Sequence, residues 1–150
     1  MFDEKKCCVI KELSEQELEE ICKIEQECFA SPWKRQDFEQ MILEPDMLYL
    51  VAIFDKIIVG GCAVHNIAGD GEITNVAVRS AYRKRGIADT MLKELIQRGS
   101  SMGINAFTLE VRITNLPAIH LYEKHGFVIE GVRKGFYKNP CEDALIMWKR

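Results

Sequence analysis

The sequence contains no long apolar segment, no cysteine motif with metal-binding spacing and no excess of positive charge. No stretch approaches the roughly 18 apolar residues that a membrane span needs, and the opening MFDEKKCCVI lacks the apolar run of a signal peptide. We therefore expect a cytoplasmic protein that does not bind membranes. The formal net charge of −3 gives no general reason to bind nucleic acid, so any anion site has to be local.

The six cysteines stand at positions 7, 8, 22, 28, 62 and 141. No two of them have C-x-x-C spacing and no histidine cluster accompanies them, so the pattern gives no support to a zinc site. We expect reduced thiols, and those at 22, 28 and 62 stand among apolar residues as small core side chains. His65, His120 and His125 show no ligand or triad spacing, and we expect them to be structural and the protein to bind no metal.

The chain of 150 residues, 47% of them hydrophobic, has the size of one domain spanning 1–150. Strand-like and helical patterns, with their turn and capping residues, predict about seven strands and about four helices. The predicted strands cover 9–13, 47–54, 57–64, 72–80, 106–111, 127–137 and 144–150. The predicted helices cover 14–29, 31–42, 86–102 and 115–126. This order indicates a mixed α/β fold in which the 86–102 helix connects two parallel neighbouring strands.

Local signals support several of these boundaries. Ser14 and Glu17 form the pattern of a capping box, with Leu13 placed to contact Leu18 across the helix start. Ser31 and Pro32 predict an N-cap and first residue for the second helix. The dipeptide 55–56 and the tetrapeptide AGDG at 68–71 predict turns between strands.

Residues 83–90, RKRGIADT, place three cations and a glycine at the start of the third predicted helix. A helix start presents unpaired backbone N–H groups and partial positive charge, and Gly86 leaves room for a phosphate to approach them. The segment lacks the lysine of a P-loop and the glycine pattern of a dinucleotide fingerprint. From these residues alone, a diphosphate site and a solvated charged loop remain equal alternatives.

The segment NVAVRSAYRKRGIADTML, together with the order of elements, resembles the Gcn5-related N-acetyltransferase (GNAT) superfamily. The family motif R/Q-x-x-G-x-G/A falls on Arg83, Gly86 and Ala88, where alanine replaces the commoner glycine. The resemblance implies a central sheet splayed between its fourth and fifth strands, with acetyl-coenzyme A as co-substrate. It also implies a bulge in the strand that carries Asn75. The residues that it implies for coenzyme binding are Val76, Ala77, Val78, Arg83, Lys84, Arg85, Gly86, Ile87, Ala88, Asn115 and Tyr122.

Two further segments, LEVRITNLPAIHLYEKHGF at 109–127 and RKGFYKNPCEDALIM at 133–147, look very similar to the RimI-type acetyltransferases. That group acetylates the N-terminal alanine of a small-subunit ribosomal protein, and the similarity extends over essentially the whole chain. Thr114, where serine is usual, and Pro117 depart from the pattern. The resemblance implies a protein N-terminus as acceptor, and leaves the oligomeric state open.

Acetyl transfer to an amine requires a base for the amine and an acid for the departing thiolate. The resemblance implies that Glu110 is the base and Tyr122 the acid. The residues alone allow other readings, because Glu110 could pair with Arg112 or with solvent and Tyr122 could be a core aromatic. Asn115 is suited both to capping a helix and to contacting the coenzyme. A backbone N–H near Val78 would polarise the thioester carbonyl.

For the acceptor, similarity points to ECFASPW at 27–33 and to the loop between the last two strands. We expect Glu25, Trp33, Tyr137 and Glu142 to line a peptide groove in which an acidic group suits a cationic amino terminus. Core packing for Trp33 and a solvated position for Glu142 are the alternatives. Other possible functions are acetylation of a small amine, a lysine or other protein N-termini, and acyl-coenzyme A binding without turnover.

Overall fold

The computed structural model describes residues 8–150 and contains the seven strands and four helices that the sequence predicts. The strands are β1 Cys8–Glu12, β2 Met47–Phe54, β3 Ile57–Ile67, β4 Asp70–Val78, β5 Ala106–Arg112, β6 Val128–Tyr137 and β7 Glu142–Lys149. The helices are α1 Leu18–Cys28, α2 Arg35–Ile42, α3 Ile87–Ser101 and α4 Leu116–Lys124. Cys7 lies outside the described residues.

One mixed sheet holds all seven strands in the order β1-β2-β3-β4-β5-β7-β6. Neighbouring strands pair antiparallel except β4 and β5, which are parallel and are connected through α3. The predicted parallel crossover is therefore confirmed. It places the start of α3, directly after β4, beside the carboxyl ends of the two parallel strands, which is where ligands commonly bind in such sheets.

The β4–β5 pairing covers only the first part of β4. It joins Asp70 to Ala106, Gly71 to Phe107 and Glu72 to Thr108, after which no pair is formed although β4 continues to Val78. The sheet therefore splays between its fourth and fifth strands, as expected.

The predicted bulge is also present in β4. Gly61 faces Ala77 and Ala63 faces Thr74, so the single residue Cys62 of β3 lies opposite two residues of β4. Asn75, one of those two, has a left-handed backbone with φ +58°. A bulge of this kind bends its strand and increases the local twist, which carries β4 away from β5.

Each face of the sheet carries its own apolar core. Helices α3 and α4 pack on one face, where Met91, Leu95 and Ile119 join the buried side chains of the central strands. Helices α1 and α2 pack on the other face around Ile21, Phe38 and other residues that cluster with Tyr49 and Val51 of β2. Alternating residues of a strand point to opposite faces, so β2, β3 and β4 contribute buried side chains to both cores, whereas β5 contributes only to the α3–α4 core.

The start of α1 agrees with the sequence, whereas the predicted start of α2 is wrong. The carboxylate of Glu17 accepts hydrogen bonds from the backbone N–H and the hydroxyl of Ser14, and a short 3₁₀ turn leads into α1. Helix α2 begins at Arg35 rather than after Ser31, because Lys34 is its N-cap and the Asp37 carboxylate accepts from the Lys34 N–H.

The turn at 68–71 is shorter than predicted. Ile67 pairs with Asp70 across a two-residue loop in which Ala68 and Gly69 both have positive φ, so Asp70 and Gly71 belong to β4. Such a turn matches the twist of the strands that it joins. The 55–56 turn is confirmed, with positive φ at both residues.

No helix among residues 8–150 has the length and apolar character needed to span a bilayer.

The packing beside the bulge predicts that Gly61→Ala will be destabilising. A Cβ on Gly61 would lie 2.5 Å from Tyr49 Oη and 2.8 Å from Ile21 Cδ1, and both side chains belong to the buried layer under α1. We expect the free energy of unfolding to fall by about 2 kcal/mol, measured by urea denaturation.

Gly131→Ala on β6 is the matched control, because its Cβ would have its nearest contact at an ordinary 3.4 Å. Its stability should change by no more than about 0.5 kcal/mol. Equal losses in the two variants would show that the effect comes from strand glycine in general and not from crowding at Gly61.

Candidate functional site

The start of α3 is open to an approaching anion. Gly86 is the N-cap with φ +77°, and a Cβ built there would meet nothing within 4 Å. Because glycine has no side chain, it supplies no cap to the first-turn N–H groups, which keep their partial positive charge. The backbone at this point therefore has the geometry of a phosphate-binding helix start.

The cations before Gly86 mostly turn toward the protein. Arg83 Nε donates to the Val78 carbonyl at 3.0 Å, and the Arg85 guanidinium lies over the rings of Phe54 and Tyr82 at 5.5 and 5.3 Å from their centroids. These contacts fix positive charge beside the helix start without a direct ion pair. They also connect the loop to the end of β4.

A cavity of about 430 Å³ adjoins the first turn of α3. Arg85, Gly86, Thr90 and Lys93 are among its lining residues, so its surroundings are partly cationic. Neither Glu110 nor Tyr122 is among its lining residues.

Among the described residues, the second half of β4 has no strand partner on its β5 side. Val76, Ala77 and Val78 lie beyond the last β4–β5 pair, while their other side remains joined to β3. The side chains of Ala77 and Val78 are buried, so the segment is held firmly and its free edge consists of main-chain groups. An extended polar ligand can hydrogen-bond with such an edge as an additional strand would.

Glu110 and Tyr122 belong to opposite faces of the sheet, and Glu110 lies on β5 beyond its last pair with β4. Leu109 and Val111 of β5 belong to the α3–α4 core together with Tyr122, so Glu110, between them, points to the other face. A continuous sheet would separate the two side chains. The splay opens a passage through which groups from both faces can reach one ligand.

The carboxylate of Glu110 is partly withdrawn from water, with 22% of its side chain exposed. Burial raises its pKa above the usual value, Arg133 opposes that rise, and the Glu72 carboxylate adds to it. Arg133 Nε lies 3.3 Å from Glu110 Oε2. The ion-pair partner is therefore Arg133, whereas Arg112, considered from the sequence, pairs with Glu142. The arrangement gives an ionised carboxylate with increased basicity.

Tyr122 is buried on α4 and packs edge-on against Phe127, with ring centroids 5.9 Å apart. Burial raises the pKa of its hydroxyl above the usual value, and Tyr137 contributes to the same rise. The pKa of Tyr137 is itself raised by burial and then by Glu110. Tyr137 therefore interacts electrostatically with both the predicted base and the predicted acid, and both tyrosine hydroxyls keep their protons at neutral pH.

Asn115 fulfils its predicted structural role. Its side-chain oxygen accepts a hydrogen bond from the Ala118 N–H at 3.3 Å, which caps α4. Contact between Asn115 and a coenzyme stays a prediction.

The structure buries Glu25, one of the residues predicted to line the acceptor groove. Its side chain is 1% exposed, and its carboxylate accepts from the Trp33 N–H at 2.9 Å and from Asn75 Nδ2 at 3.1 and 3.2 Å. Burial raises its pKa. Trp33 packs on Phe38 at 5.1 Å between ring centroids, so core packing holds the loop on which the tryptophan lies.

Tyr137 and Glu142 face each other across the β6–β7 hairpin and meet Arg112. The Arg112 guanidinium lies 4.4 Å from the Tyr137 ring centroid and bonds Glu142 Oε1 at 3.1 Å. Glu142 also accepts from the N–H and the hydroxyl of Thr114. Glu142 is therefore fixed between two loops and is not a freely solvated side chain.

Three residues of the site were not assigned from the sequence: Glu72, Asn75 as a side chain, and Arg133. Glu72 pairs with Thr108 and so shares a face with Glu110 two residues along β5. In the sequence, Glu72 is only a charged residue near a strand start and Asn75 only an asparagine among β-branched residues, and neither pattern specifies a partner. Arg133 begins the segment RKGFYKNPCEDALIM, which assigned it no function.

His125 joins two helices through an ion-pair cluster. His125 Nε2 and Asp89 Oδ1 are 2.8 Å apart, and Lys124 Nζ lies 3.1 Å from the same oxygen. Although partial burial opposes it, hydrogen bonds from Lys124 and His125 hold the pKa of Asp89 below its usual value. This cluster joins the first turn of α3 to the end of α4. Within residues 8–150, no three His, Cys, Asp or Glu side chains are grouped to share a metal ion.

Comparison with known proteins identifies the class of enzyme. The model of the acetyltransferase (GNAT) family matches residues 18–127. A Bacillus subtilis (strain 168) protein, provisionally named a [ribosomal protein bS18]-alanine N-acetyltransferase, is 33% identical over 140 residues, which are 93% of each chain. The Salmonella typhimurium (strain LT2) [ribosomal protein bS18]-alanine N-acetyltransferase is 31% identical over 137 residues, 90% of this chain and 92% of that one.

The solved structures agree. The crystal structure of the ribosomal-protein-S18-alanine N-acetyltransferase from Escherichia coli superposes with a TM-score of 0.85 and 27% identity, covering 95% of this chain and 92% of that one. The protein is an acetyltransferase by fold and sequence. It belongs to the GNAT family, and its similarity to the RimI-type members, predicted from the sequence, is confirmed.

Proposed function

We propose that the protein transfers the acetyl group of acetyl-coenzyme A to the N-terminal α-amino group of a protein, the acceptor being the N-terminal alanine of a small-subunit ribosomal protein. The observation that carries this proposal is the gap that opens between β4 and β5 beyond Glu72 and Thr108. In our proposal Glu110 and Tyr122, which belong to opposite faces of the sheet, both act on a coenzyme held in that gap. The names of the bacterial relatives support the choice of acceptor.

The coenzyme occupies the gap with its diphosphate at the start of α3. The first-turn N–H groups beyond Gly86 bind the diphosphate, and Arg83, Lys84 and Arg85 contribute charge around it. The amide-rich arm runs along the free edge of β4 at 76–78, where backbone groups lack a strand partner. A backbone N–H near Val78 polarises the thioester carbonyl, and Asn115 contacts the coenzyme from α4.

Transfer is direct, within a complex of enzyme, coenzyme and acceptor. An α-amino group titrates near 8, so about a tenth of it is neutral at pH 7, and only a modest base is required. The nitrogen attacks the thioester carbon while Glu110 takes its proton, directly or through water. The carbon–sulfur bond then breaks, and the departing thiolate takes the proton of Tyr122. The raised pKa of that hydroxyl keeps it protonated until the thiolate forms.

The acceptor lies on the α1–α2 face of the sheet. Trp33 on one loop and Tyr137 and Glu142 on another border this side, and Glu72 and Glu110 place negative charge near the gap. A cationic amino terminus is attracted to that charge before it loses its proton. Glu25 does not contact the acceptor directly, because its carboxylate is buried and already accepts the hydrogen bond of the Trp33 N–H.

The direct test is acetyl transfer to synthetic peptides that carry the N-terminal sequences of ribosomal proteins. We expect a peptide with a free N-terminal alanine to be acetylated at that amine, and the same peptide with a blocked N-terminus to remain unmodified even when it contains lysine. Mass spectrometry of the products locates the acetyl group. Modification of lysine or of small amines in preference would contradict the proposed acceptor, and binding without turnover would contradict the proposed enzyme.

The glycine at the start of α3 provides a test of coenzyme binding. Gly86→Ala forces alanine into a left-handed backbone at a cost of about 1 kcal/mol and places a methyl group where the diphosphate approaches. We expect coenzyme A affinity, measured by titration calorimetry, to fall by about tenfold or more.

Gly103→Ala is its matched control, since Gly103 also has a positive φ and open space around its Cβ position but lies beyond the other end of α3. It should lose similar stability and keep the parental affinity. An equal loss of affinity in both variants would show that backbone strain, and not the anion site, is responsible.

The ion pair of Glu110 predicts a shift in the pH dependence. A general base must be deprotonated, and so must the attacking amine. In a plot of log kcat/KM against pH, the slope therefore increases from one to two as pH falls below the pKa of Glu110, and this change of slope is the break that we follow. Removing the cation in Arg133→Gln raises that pKa further, and the break should move upward by about 0.3 pH unit, since Arg133 is 57% exposed and screened.

Lys134→Gln, at the neighbouring and more exposed position, is the control and should leave the break in place. Replacing Glu110 by glutamine should remove the break. A break that persists in Glu110→Gln would assign the base to another group.

A further inference from the structure

We propose that Glu25 is a positioning residue for the acetyl transfer, and that its buried carboxylate fixes the acceptor loop at Trp33 relative to the bulge of β4 at Asn75. This inference rests on the function proposed above. It goes beyond that function because Glu25 would touch neither the acceptor nor the coenzyme. It would act through two segments that do, the loop that carries Trp33 and the part of β4 that begins at Asn75.

The first observation is the depth of burial. Glu25 is 1% exposed, the lowest value of any charged residue among residues 8–150, and it lies on the apolar side of α1 with Leu18, Ile21 and Ile24. Replacing a buried charged group by an apolar one of similar size is often neutral or stabilising. A contribution to core stability alone therefore does not account for a carboxylate at this position.

The second observation is what the carboxylate contacts. Oε1 accepts the Trp33 N–H, eight residues along the chain, and both oxygens lie within hydrogen-bond distance of Asn75 Nδ2, fifty residues along the chain. One buried group thus joins the loop between α1 and α2 to the central sheet. The two segments otherwise belong to different elements with no strand pairing between them.

Asn75 occupies the position at which β4 departs from regular pairing. Its φ of +58° is a conformation that asparagine and aspartate adopt more readily than most residues with a Cβ. The side chain of such a residue needs an anchor to hold one orientation, and Glu25 is that anchor. The next residues, 76–78, form the free edge of β4, so the orientation of the bulge sets where that edge lies.

The loop that carries Trp33 is the second segment that the Glu25 carboxylate holds. The Trp33 ring packs on Phe38, which packs edge-on against Tyr49 with centroids 5.3 Å apart. Those contacts hold the ring against the core but leave the backbone of the loop to be fixed by the Trp33 N–H bond to Glu25. Small errors in placing reacting groups reduce enzymatic rates strongly.

The pair can be tested by exchanging its donor and acceptor. Asn75→Asp keeps a residue that tolerates the left-handed backbone conformation, but it replaces the amide that donates to Glu25 by a second carboxylate, which repels that of Glu25. In the double variant Glu25→Gln/Asn75→Asp, the glutamine oxygen still accepts the Trp33 N–H and its amide donates to the aspartate. Glu25→Gln alone is tolerated if the Asn75 amide turns to present its oxygen.

We expect Asn75→Asp to lower kcat/KM for the acceptor peptide about tenfold or more, through both a higher peptide KM and a lower kcat. The KM for acetyl-coenzyme A should rise as well, because the bulge sets the position of the free edge of β4, and the double variant should recover most of both losses. Steady-state kinetics with each substrate varied in turn, on protein whose folding is checked by thermal melting, measures these effects.

Glu17→Gln is the matched control for a structural effect. Glu17 is the other buried carboxylate in this part of the chain, and it caps the start of α1 away from Trp33 and Asn75. Its replacement should lower the melting temperature without raising the peptide KM. If Asn75→Asp behaves as Glu17→Gln does, or if the double variant fails to recover activity, the inference is wrong.

The same data separate this inference from the proposed function. Transfer by the parent protein with unchanged kinetics in Asn75→Asp rejects the positioning role and leaves the function standing. Failure of the parent protein to acetylate any peptide N-terminus rejects the function, and with it the inference.

Discussion

The separation of β4 from β5 after three residue pairs is the constraint on which the rest of the site depends. Parallel strands that stayed paired would form a closed wall, and each side chain of β5 would be confined to its own face. Because pairing ends at Glu72 and Thr108, an opening forms in the middle of an otherwise continuous sheet. Glu110 lies on β5 just beyond the last pair, and the opening is what would allow it and Tyr122, on the other face, to act on one ligand as we propose.

The opening has a mechanical cause within β4. Two residues of β4 stand opposite one residue of β3, and Asn75 takes a left-handed conformation that turns the strand. Gly61, opposite the bulge, lies so close to Tyr49 and Ile21 that no side chain has room there. The bulge is therefore built into the packing on the α1 face. The buried Glu25 carboxylate completes the arrangement by bonding both Asn75 and the Trp33 loop.

Electrostatics around the gap follow from partial burial. Burial raises the pKa values of Glu110, Tyr122 and Tyr137, while the exposed Arg133 limits the rise at Glu110. The raised pKa makes the Glu110 carboxylate more basic, as the proposed base requires, while the Tyr122 hydroxyl is protonated at neutral pH but is made a weaker proton donor by its burial. The open start of α3 presents backbone N–H groups instead, so the anion site that we propose there would need few charged side chains aimed at the ligand.

The sequence by itself determined the elements and the features whose causes are local. The periodicity gave seven strands and four helices in their correct order, the Ser14–Glu17 pair fixed the start of α1, and Gly86 marked the open start of α3. The resemblance of the motifs supplied Glu110, Tyr122 and the splay. The start of α2 was misplaced, because Ser31-Pro32 and Lys34–Asp37 both resemble helix starts and only the observed hydrogen bonds distinguish them.

The tertiary structure alone decided which distant groups meet. Glu110 pairs with Arg133 rather than Arg112, Glu142 is held by Arg112 and Thr114, and Glu25 reaches Asn75 across fifty residues. Helix capping and hydrophobic periodicity depend on residues a few positions apart, so they can be predicted from the sequence alone. Partners across a sheet depend on register, on the bulge and on the angle at which strands diverge, and these are set by the packing of the whole fold.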